Sequence, residues 1–193
     1  MSNLAEADVA STKRQRPKIV FTGTVGAGKT TALKSISDIA PVTTDVRASE
    51  DEEVAAIKDN TTVAMDYGHL VLASGVKVDL YATPGQERFS FMWEILGRNS
   101  AGLVLLSDAS RPNPLEDFRF FWQRFQPIVK SAPIVVGLTK TDCQSHDVVE
   151  ALQAQIRRDI PSAGAMAVDA RNAIDMKKLV FSLLLRIDPA LLR

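Results

Sequence analysis

A glycine-rich stretch that ends in a lysine and a hydroxyl residue carries the clearest chemical signal in this sequence. Residues 23–30 read GTVGAGKT and fit the pattern G-x-x-x-x-G-K-S/T, in which glycines let backbone N–H groups approach a phosphate closely. Lys29 would bring a positive charge to the β- and γ-phosphates, and Thr30 would place its hydroxyl on Mg²⁺. The stretch therefore predicts a P-loop, with these candidate nucleotide contacts: Gly23, Thr24, Val25, Gly26, Ala27, Gly28, Lys29, Thr30 and Thr31.

The segments on either side of this stretch supply the context that the motif requires. An apolar, β-branched run at 18–22 predicts a strand before it, and the residues after it predict a helix to about Ala40, where Pro41 stops it. The N-terminus of such a helix adds a favourable field for an anion. This order favours phosphate binding over a glycine-rich turn that binds nothing.

Two further short segments follow predicted strands. Residues 82–89 read ATPGQERF, and residues 139–142 read TKTD. Asp142 can accept hydrogen bonds from the N1–H and N2–H₂ groups of guanine, a pair of donors that adenine lacks. Lys140 would lie along the base plane with its aliphatic stem. Alone, TKTD could equally be a surface or capping segment, so the P-loop upstream is what favours guanine recognition.

Short apolar runs alternate with helical segments along the chain. This alternation predicts an α/β fold of the P-loop NTPase type, with a six-stranded, mostly parallel sheet, one antiparallel edge strand and helices on both faces. Ligands bind such sheets beyond the carboxyl ends of the strands, where all three motifs fall. A long polar loop, with a short helix near 54–58, is expected over 42–60. The predicted strands are 18–22, 62–72, 76–81, 102–108, 133–138 and 165–168.

Bulk properties indicate one ordinary domain. We expect a flexible tail over 1–16 and a single nucleotide-binding domain over 17–193. The formal net charge is zero, which gives no overall field that would attract nucleic acid or an anionic membrane. The single cysteine suits a reducing cytoplasm, where we expect the protein to be located. No apolar run approaches the roughly 20 residues of a membrane helix, and we expect no lipid anchor.

Taken together, the motifs resemble those of the Ras-like small GTPases, over about residues 17–188. The form TPGQ at 83–86 is closer to the bacterial branch, including the gliding-motility GTPases, than to the eukaryotic Ras core. The resemblance implies GTP and GDP as ligands, Mg²⁺ as cofactor, and slow hydrolysis of GTP. It also implies signalling to a protein effector through switch I (about 42–62) and switch II (about 83–98), and a protein regulator of the roadblock type.

The resemblance also implies a role for individual residues of the two switches. Gly85 would offer its N–H to the γ-phosphate, and Gln86 would orient the attacking water. Thr62, with Thr61 as the alternative, would reach Mg²⁺ from switch I. Arg88 is a candidate catalytic arginine supplied in cis.

Arg47 in switch I is a second candidate for that catalytic arginine. Near the end of the chain, residues 168–171 read VDAR and are similar to the family's last base-contacting loop. Ala170 would donate its N–H to guanine O6, and Arg171 would contact the nucleotide from the same loop.

Three positions depart from the family pattern. Ala82 stands where the family has an aspartate near Mg²⁺, and either Asp66 or Asp79 could replace that carboxylate. Thr139 stands where asparagine is usual, and a hydroxyl makes fewer hydrogen bonds than an amide, so we expect a more loosely held loop. Val25 replaces a glycine and crowds the γ-phosphate.

These departures leave two other functions open. Ala82 and Val25 fit a guanine-nucleotide-binding scaffold with negligible hydrolysis. Thr139, together with Asp108 at a strand end, fits a P-loop ATPase, although a capping role is the simpler explanation for Asp108.

Overall fold

A computed structural model describes residues 16–46 and 63–192 of the chain. Three short 3₁₀ turns, Glu87–Phe89, Thr141–Cys143 and Pro189–Leu192, accompany the regular elements. The helices are α1 (Lys29–Ile36), α2 (Ser90–Gly97), α3 (Pro114–Val129), α4 (His146–Asp159) and α5 (Ala173–Ile187). The strands are β1 (Lys18–Gly23), β2 (Val42–Val46), β3 (Val63–Val71), β4 (Lys77–Ala82), β5 (Gly102–Asp108), β6 (Ile134–Thr139) and β7 (Gly164–Ala167).

The strands form one sheet in the order β2-β3-β4-β1-β5-β6-β7. Strands β4, β1, β5, β6 and β7 pair in parallel, whereas β3 runs antiparallel to both of its neighbours, β2 and β4. The predicted fold class is confirmed: the sheet is mostly parallel, β3 and β4 form the expected hairpin, and helices surround the sheet.

The structure adds a seventh strand, β2, to the six that the sequence predicts. It occupies the first residues of the segment expected to be a polar loop, and it pairs with β3 from Val42↔Tyr67 to Val46↔Val63. Strand β3 is nine residues long, and the edge that does not pair with β4 presents a row of backbone hydrogen-bonding groups to another strand. The sequence VTTDV is rich in β-favouring residues and pairs with this edge. The antiparallel strand β3 is therefore second from the edge of the sheet. The rest of that predicted loop and residues 1–15 of the expected tail over 1–16 lie outside the described residues.

The core has one layer on each face of the sheet. Strand β5 is buried at every position, and its side chains alternate between the two layers. Val104 and Leu106 pack with α1 and α5 residues, while Leu103 and Leu105 pack with the aromatic residues of α3. A continuous apolar run is the pattern of a central strand covered by helices on both sides. Among the helices that the structure describes, none is long and apolar enough to cross a membrane.

Candidate functional site

The P-loop connects the end of β1 to the start of α1, as the sequence predicts. Gly28 is the residue that precedes the helix, and it has a φ of 90° in the left-handed region. A Cβ at Gly28 would lie 2.9 Å from the Cβ of Ala170, so glycine is required there by both backbone conformation and packing. Helix α1 ends at Ile36 rather than near Ala40, since Ser37 is extended and its hydroxyl donates to the Ile39 carbonyl.

Lys29 is buried inside the loop. Its Nζ donates to the carbonyl oxygens of Gly23 (2.8 Å) and Thr24 (2.6 Å), and 8% of the residue is exposed. Burial lowers the pKa of Lys29 to about 8, and the nearby Asp66 carboxylate offsets part of this shift. The Thr24 hydroxyl is buried as well and has no hydrogen-bond partner in the described part of the chain. The loop therefore holds a desolvated ammonium group whose charged form a bound anion would favour.

Thr30, the last residue of the P-loop, and Asp66 bring two oxygen-bearing side chains together. The Thr30 hydroxyl donates to Asp66 Oδ2 at 2.5 Å, and Asp66 lies directly opposite Ala82 in the β3–β4 register. A carboxylate from the neighbouring strand thus lies opposite Ala82, the position at which the sequence resemblance led us to expect an aspartate. Asp79 is engaged elsewhere, because it accepts from the Tyr67 hydroxyl (2.9 Å) and pairs with Arg16.

A hydroxyl beside a carboxylate is the kind of ligand set that Mg²⁺ prefers, so the residues present fit this ion. Of the candidates in switch I, Thr61, Thr62 and Arg47 lie outside the described residues.

The segment predicted to be switch II approaches the P-loop closely at Gly85. A Cβ on Gly85 would lie 2.6 Å from the backbone N of Val25 and 2.7 Å from Lys29 Nζ, so only glycine fits at this contact. Gln86 and Arg88 are both exposed, and Arg88 Nε donates to Gln86 Oε1 at 2.7 Å.

A cavity of about 540 Å³ extends from the P-loop between the loops that follow β6 and β7. Lys140, Asp142, Ala170 and Arg171 line it, as do Gly26, Ala27, Gly28 and Thr31 from the P-loop and the start of α1. Lys140 has a left-handed backbone, with φ 54°, and its Nζ donates to Asp108 Oδ2 at 2.6 Å. The cavity is therefore continuous with the P-loop and ends among charged side chains.

Thr139 connects the β6 loop to the P-loop. Its hydroxyl lies 3.1 Å from the Ala27 carbonyl oxygen and 3.4 Å from that of Ser107, and the residue is 2% exposed. A buried threonine therefore makes the link between these two loops from the position where asparagine is usual.

The structure brings most of the predicted site residues to one edge of the sheet, and it gives a further role to Asp108, which the sequence suggested only as a capping residue or as the carboxylate of an ATPase. Asp108 accepts from Ser110 N (3.0 Å) and from Lys140, so it supports the β6 loop. Burial raises the pKa of Asp108, but the hydrogen bonds from Lys140 and Ser110 lower it by more. The pKa of this carboxyl therefore lies below its ordinary value. Its position at the end of β5, next in the sheet to β6, is the only signal that could have indicated this role.

This fold and this site define a nucleotide-binding protein of the P-loop NTPase class. The chain belongs to the family described as "Conserved hypothetical ATP binding protein", whose model matches residues 21–186.

Two individual proteins illustrate the similarity. An uncharacterized protein of Methanocaldococcus jannaschii, MJ1339, is 27% identical over 141 residues, which cover 72% of this chain and 79% of that protein. The crystal structure of the bacterial selenocysteine-specific elongation factor EF-Sec superposes with a TM-score of 0.61 at 19% identity. That match covers 90% of this chain and 29% of the elongation factor, so the similarity to EF-Sec concerns the fold alone.

Proposed function

We propose that this chain is a Ras-like GTPase of the bacterial type, a switch that binds GTP with Mg²⁺ and hydrolyses it to GDP. The observation that carries the proposal is the position of Asp142, which lines the cavity that begins at the P-loop. A carboxylate there would accept the N1–H and N2–H₂ donors of guanine. Adenine would leave the carboxylate without these partners, and sites built on such hydrogen bonds reject the wrong ligand strongly.

An ATPase is the alternative that the family's description raises. Its carboxylate on the metal would be Asp108, but Asp108 binds Ser110 and Lys140, at the end of the cavity where the base would lie. Thr30 instead has Asp66 as its partner. The contacts of Asp108 therefore support the GTPase.

Nucleotide competition tests the proposal. We expect GDP and GTP to displace a fluorescent GDP from the purified protein at concentrations at least about 100-fold lower than ADP and ATP. Asp142→Ala should lose this preference. Asp147→Ala is the matched control, since Asp147 is an exposed carboxylate on α4 outside the cavity lining. Equal displacement by adenine nucleotides would overturn the assignment of guanine.

For hydrolysis, each proposed group has a defined task. The Gly85 N–H would contact the γ-phosphate, Lys29 would neutralise phosphate charge, and Gln86 would orient the attacking water. Gln86 must first give up its hydrogen bond with Arg88. Thr30 and Asp66 would hold Mg²⁺, directly or through a bound water, and the ion would supply positive charge next to the phosphates.

The metal assignment has its own test, with a matched control. Asp66→Asn should weaken the Mg²⁺-dependent part of GTP affinity by about 10-fold or more, whereas Asp79→Asn should leave it unchanged, because Asp79 binds Tyr67 and not Thr30. The Mg²⁺-dependent part is the difference between the GTP affinity in Mg²⁺ and the GTP affinity after EDTA has removed the ion. Equal effects of the two substitutions would contradict the role of Asp66.

A guanine-nucleotide-binding scaffold with negligible hydrolysis is the second candidate. Val25 favours it, because this β-branched residue is 55% exposed on the P-loop, next to Gly85, where it would crowd the γ-phosphate. Single-turnover assays with labelled GTP distinguish the two: the switch predicts slow release of phosphate, and the scaffold predicts none.

We propose that the output of the switch is the binding of a protein effector, with a second protein as regulator. On α2, within switch II, Phe91 and Ile95 are 53% and 60% exposed, and their spacing of four residues places them on one helix face. An apolar pair exposed on the segment that contacts the P-loop is a suitable surface for a partner that distinguishes GTP from GDP.

A further inference from the structure

More acidic than basic side chains line the cavity. Three carboxylates line it: Asp142, Asp169 and Asp175. Lys140, although also in the lining, is bound to Asp108. Among the described residues of the rim, Arg171 is thus the cation that remains to balance these three acids.

Arg171 donates hydrogen bonds to the Asp169 carboxylate from both its guanidinium group and its backbone. Its Nε donates to Asp169 Oδ1 at 2.9 Å, and one terminal nitrogen donates to Oδ2 at 2.8 Å. The backbone N of Arg171 also donates to Asp169 Oδ1 at 2.8 Å. Asp175, in the first turn of α5, also contacts this loop, because its Oδ2 accepts from the backbone N of Asp169 at 3.2 Å. The Asp169 carboxylate is therefore held toward its own loop.

This arrangement has a chemical consequence for a bound guanine. The edge of guanine presents donors at N1 and N2 but an acceptor at O6, and the proposed donor to O6 is the N–H of Ala170. Ala170 is the residue between Asp169 and Arg171, so a freed Asp169 carboxylate would place negative charge beside that acceptor. Asp142, a second carboxylate, lines the same cavity.

We propose that Arg171 is a positioning residue: by binding Asp169, it leaves Asp142 as the single carboxylate presented to the purine. The inference rests on the proposed binding of guanine nucleotides. It differs from the sequence expectation, in which Arg171 contacts the nucleotide itself. On this proposal, Arg171 acts on the base through Asp169.

A double-mutant cycle tests the proposal, with GDP affinity measured by displacement of a fluorescent GDP. Arg171→Ala should weaken GDP binding about 10-fold, since it leaves the Asp169 charge without its partner. Adding Asp169→Asn should restore most of the loss, because the charge is then gone. The defect of Arg171→Ala should also shrink in high salt, which screens exposed charges. Arg171→Lys, which keeps the charge, should lose less than Arg171→Ala and provides a second variant if the alanine protein folds poorly.

Two results would overturn this role. If the double variant binds GDP as weakly as Arg171→Ala does, Arg171 contacts the nucleotide directly. If Asp169→Asn alone is as damaging as Arg171→Ala, the pair serves the loop structure rather than the charge balance. Neither result affects the preference of the wild-type protein for GDP over ADP, whose absence would instead refute the proposed function.

Discussion

Lys29 allows the P-loop to be tested before any nucleotide is added. Its pKa is about 8 in the folded chain, against an ordinary value of 10.5. Between these two pH values, the unfolded chain binds a proton at Lys29 that the folded chain has released. Stability therefore rises with pH through this window, because the cost of burying the charged ammonium disappears as the group loses its proton.

The size of the effect follows from the two pKa values. The full difference corresponds to about 3 kcal/mol, at about 1.4 kcal/mol per pKa unit. Part of this free-energy change occurs at a pH above about 9.5, where unfolding is harder to measure. Between about pH 7 and pH 9.5, the contribution of Lys29 to the free energy of unfolding should increase by about 2 kcal/mol.

Urea unfolding of the nucleotide-free protein at several pH values measures this contribution. Trp93 is a suitable fluorescent reporter, because this α2 residue is 1% exposed and packs in the core. Lys29→Met is the matched control, since methionine keeps the apolar stem and has no titrating group. Other groups, such as Lys18, whose pKa is also lowered by burial, contribute equally to both proteins and cancel in the difference.

The test compares how the free energy of unfolding changes with pH in the wild type and in Lys29→Met. The wild type should gain about 2 kcal/mol relative to Lys29→Met from pH 7 to pH 9.5. Parallel pH profiles would refute the reasoning, since they would mean that the Lys29 ammonium is not desolvated in the loop.

Three further substitutions have defined outcomes. Gly85→Ala should weaken GTP at least about 10-fold while changing GDP little, as measured by calorimetry, because its Cβ collides with the P-loop at Lys29; equal losses for both nucleotides would contradict this. Thr139→Val should destabilise the protein by about 1–3 kcal/mol in urea unfolding, since the buried Ala27 carbonyl loses its hydroxyl partner, and Thr139→Ser should retain most of the stability. Gly137→Ala should cost about 1–3 kcal/mol in thermal unfolding, because its Cβ would lie within 2.9 Å of three core side chains; an unchanged melting temperature would show that the core has room.

Much of the fold could be predicted from the sequence because its signals are local. The P-loop lies within eight consecutive residues, and a strand before it with a helix after it can be recognised from composition alone. The order of strands and helices then places the P-loop, 82–89 and 139–142 at one edge of a parallel sheet. The chemical roles of Thr62, Gln86 and Arg88 stay predictions.

What only the tertiary structure decided concerns pairs of residues that are distant in the chain. The sequence left Asp66 and Asp79 as equal candidates to replace the carboxylate missing at Ala82. The β3–β4 register separates them, because it sets Asp66 opposite Ala82 and within hydrogen-bonding distance of Thr30. A strand register depends on which backbone groups pair across the sheet, and the alternation of side chains leaves several registers compatible with one pattern.

The same reason applies to β2 and to Asp108. An edge strand forms only when a long neighbour offers free backbone groups, and Asp108 meets Lys140 only because β5 and β6 are adjacent in the sheet. Local sequence therefore determined the elements other than β2, together with the place of the P-loop among them. The pairing of distant strands determined which carboxylate stands beside the P-loop and which supports the loop after β6.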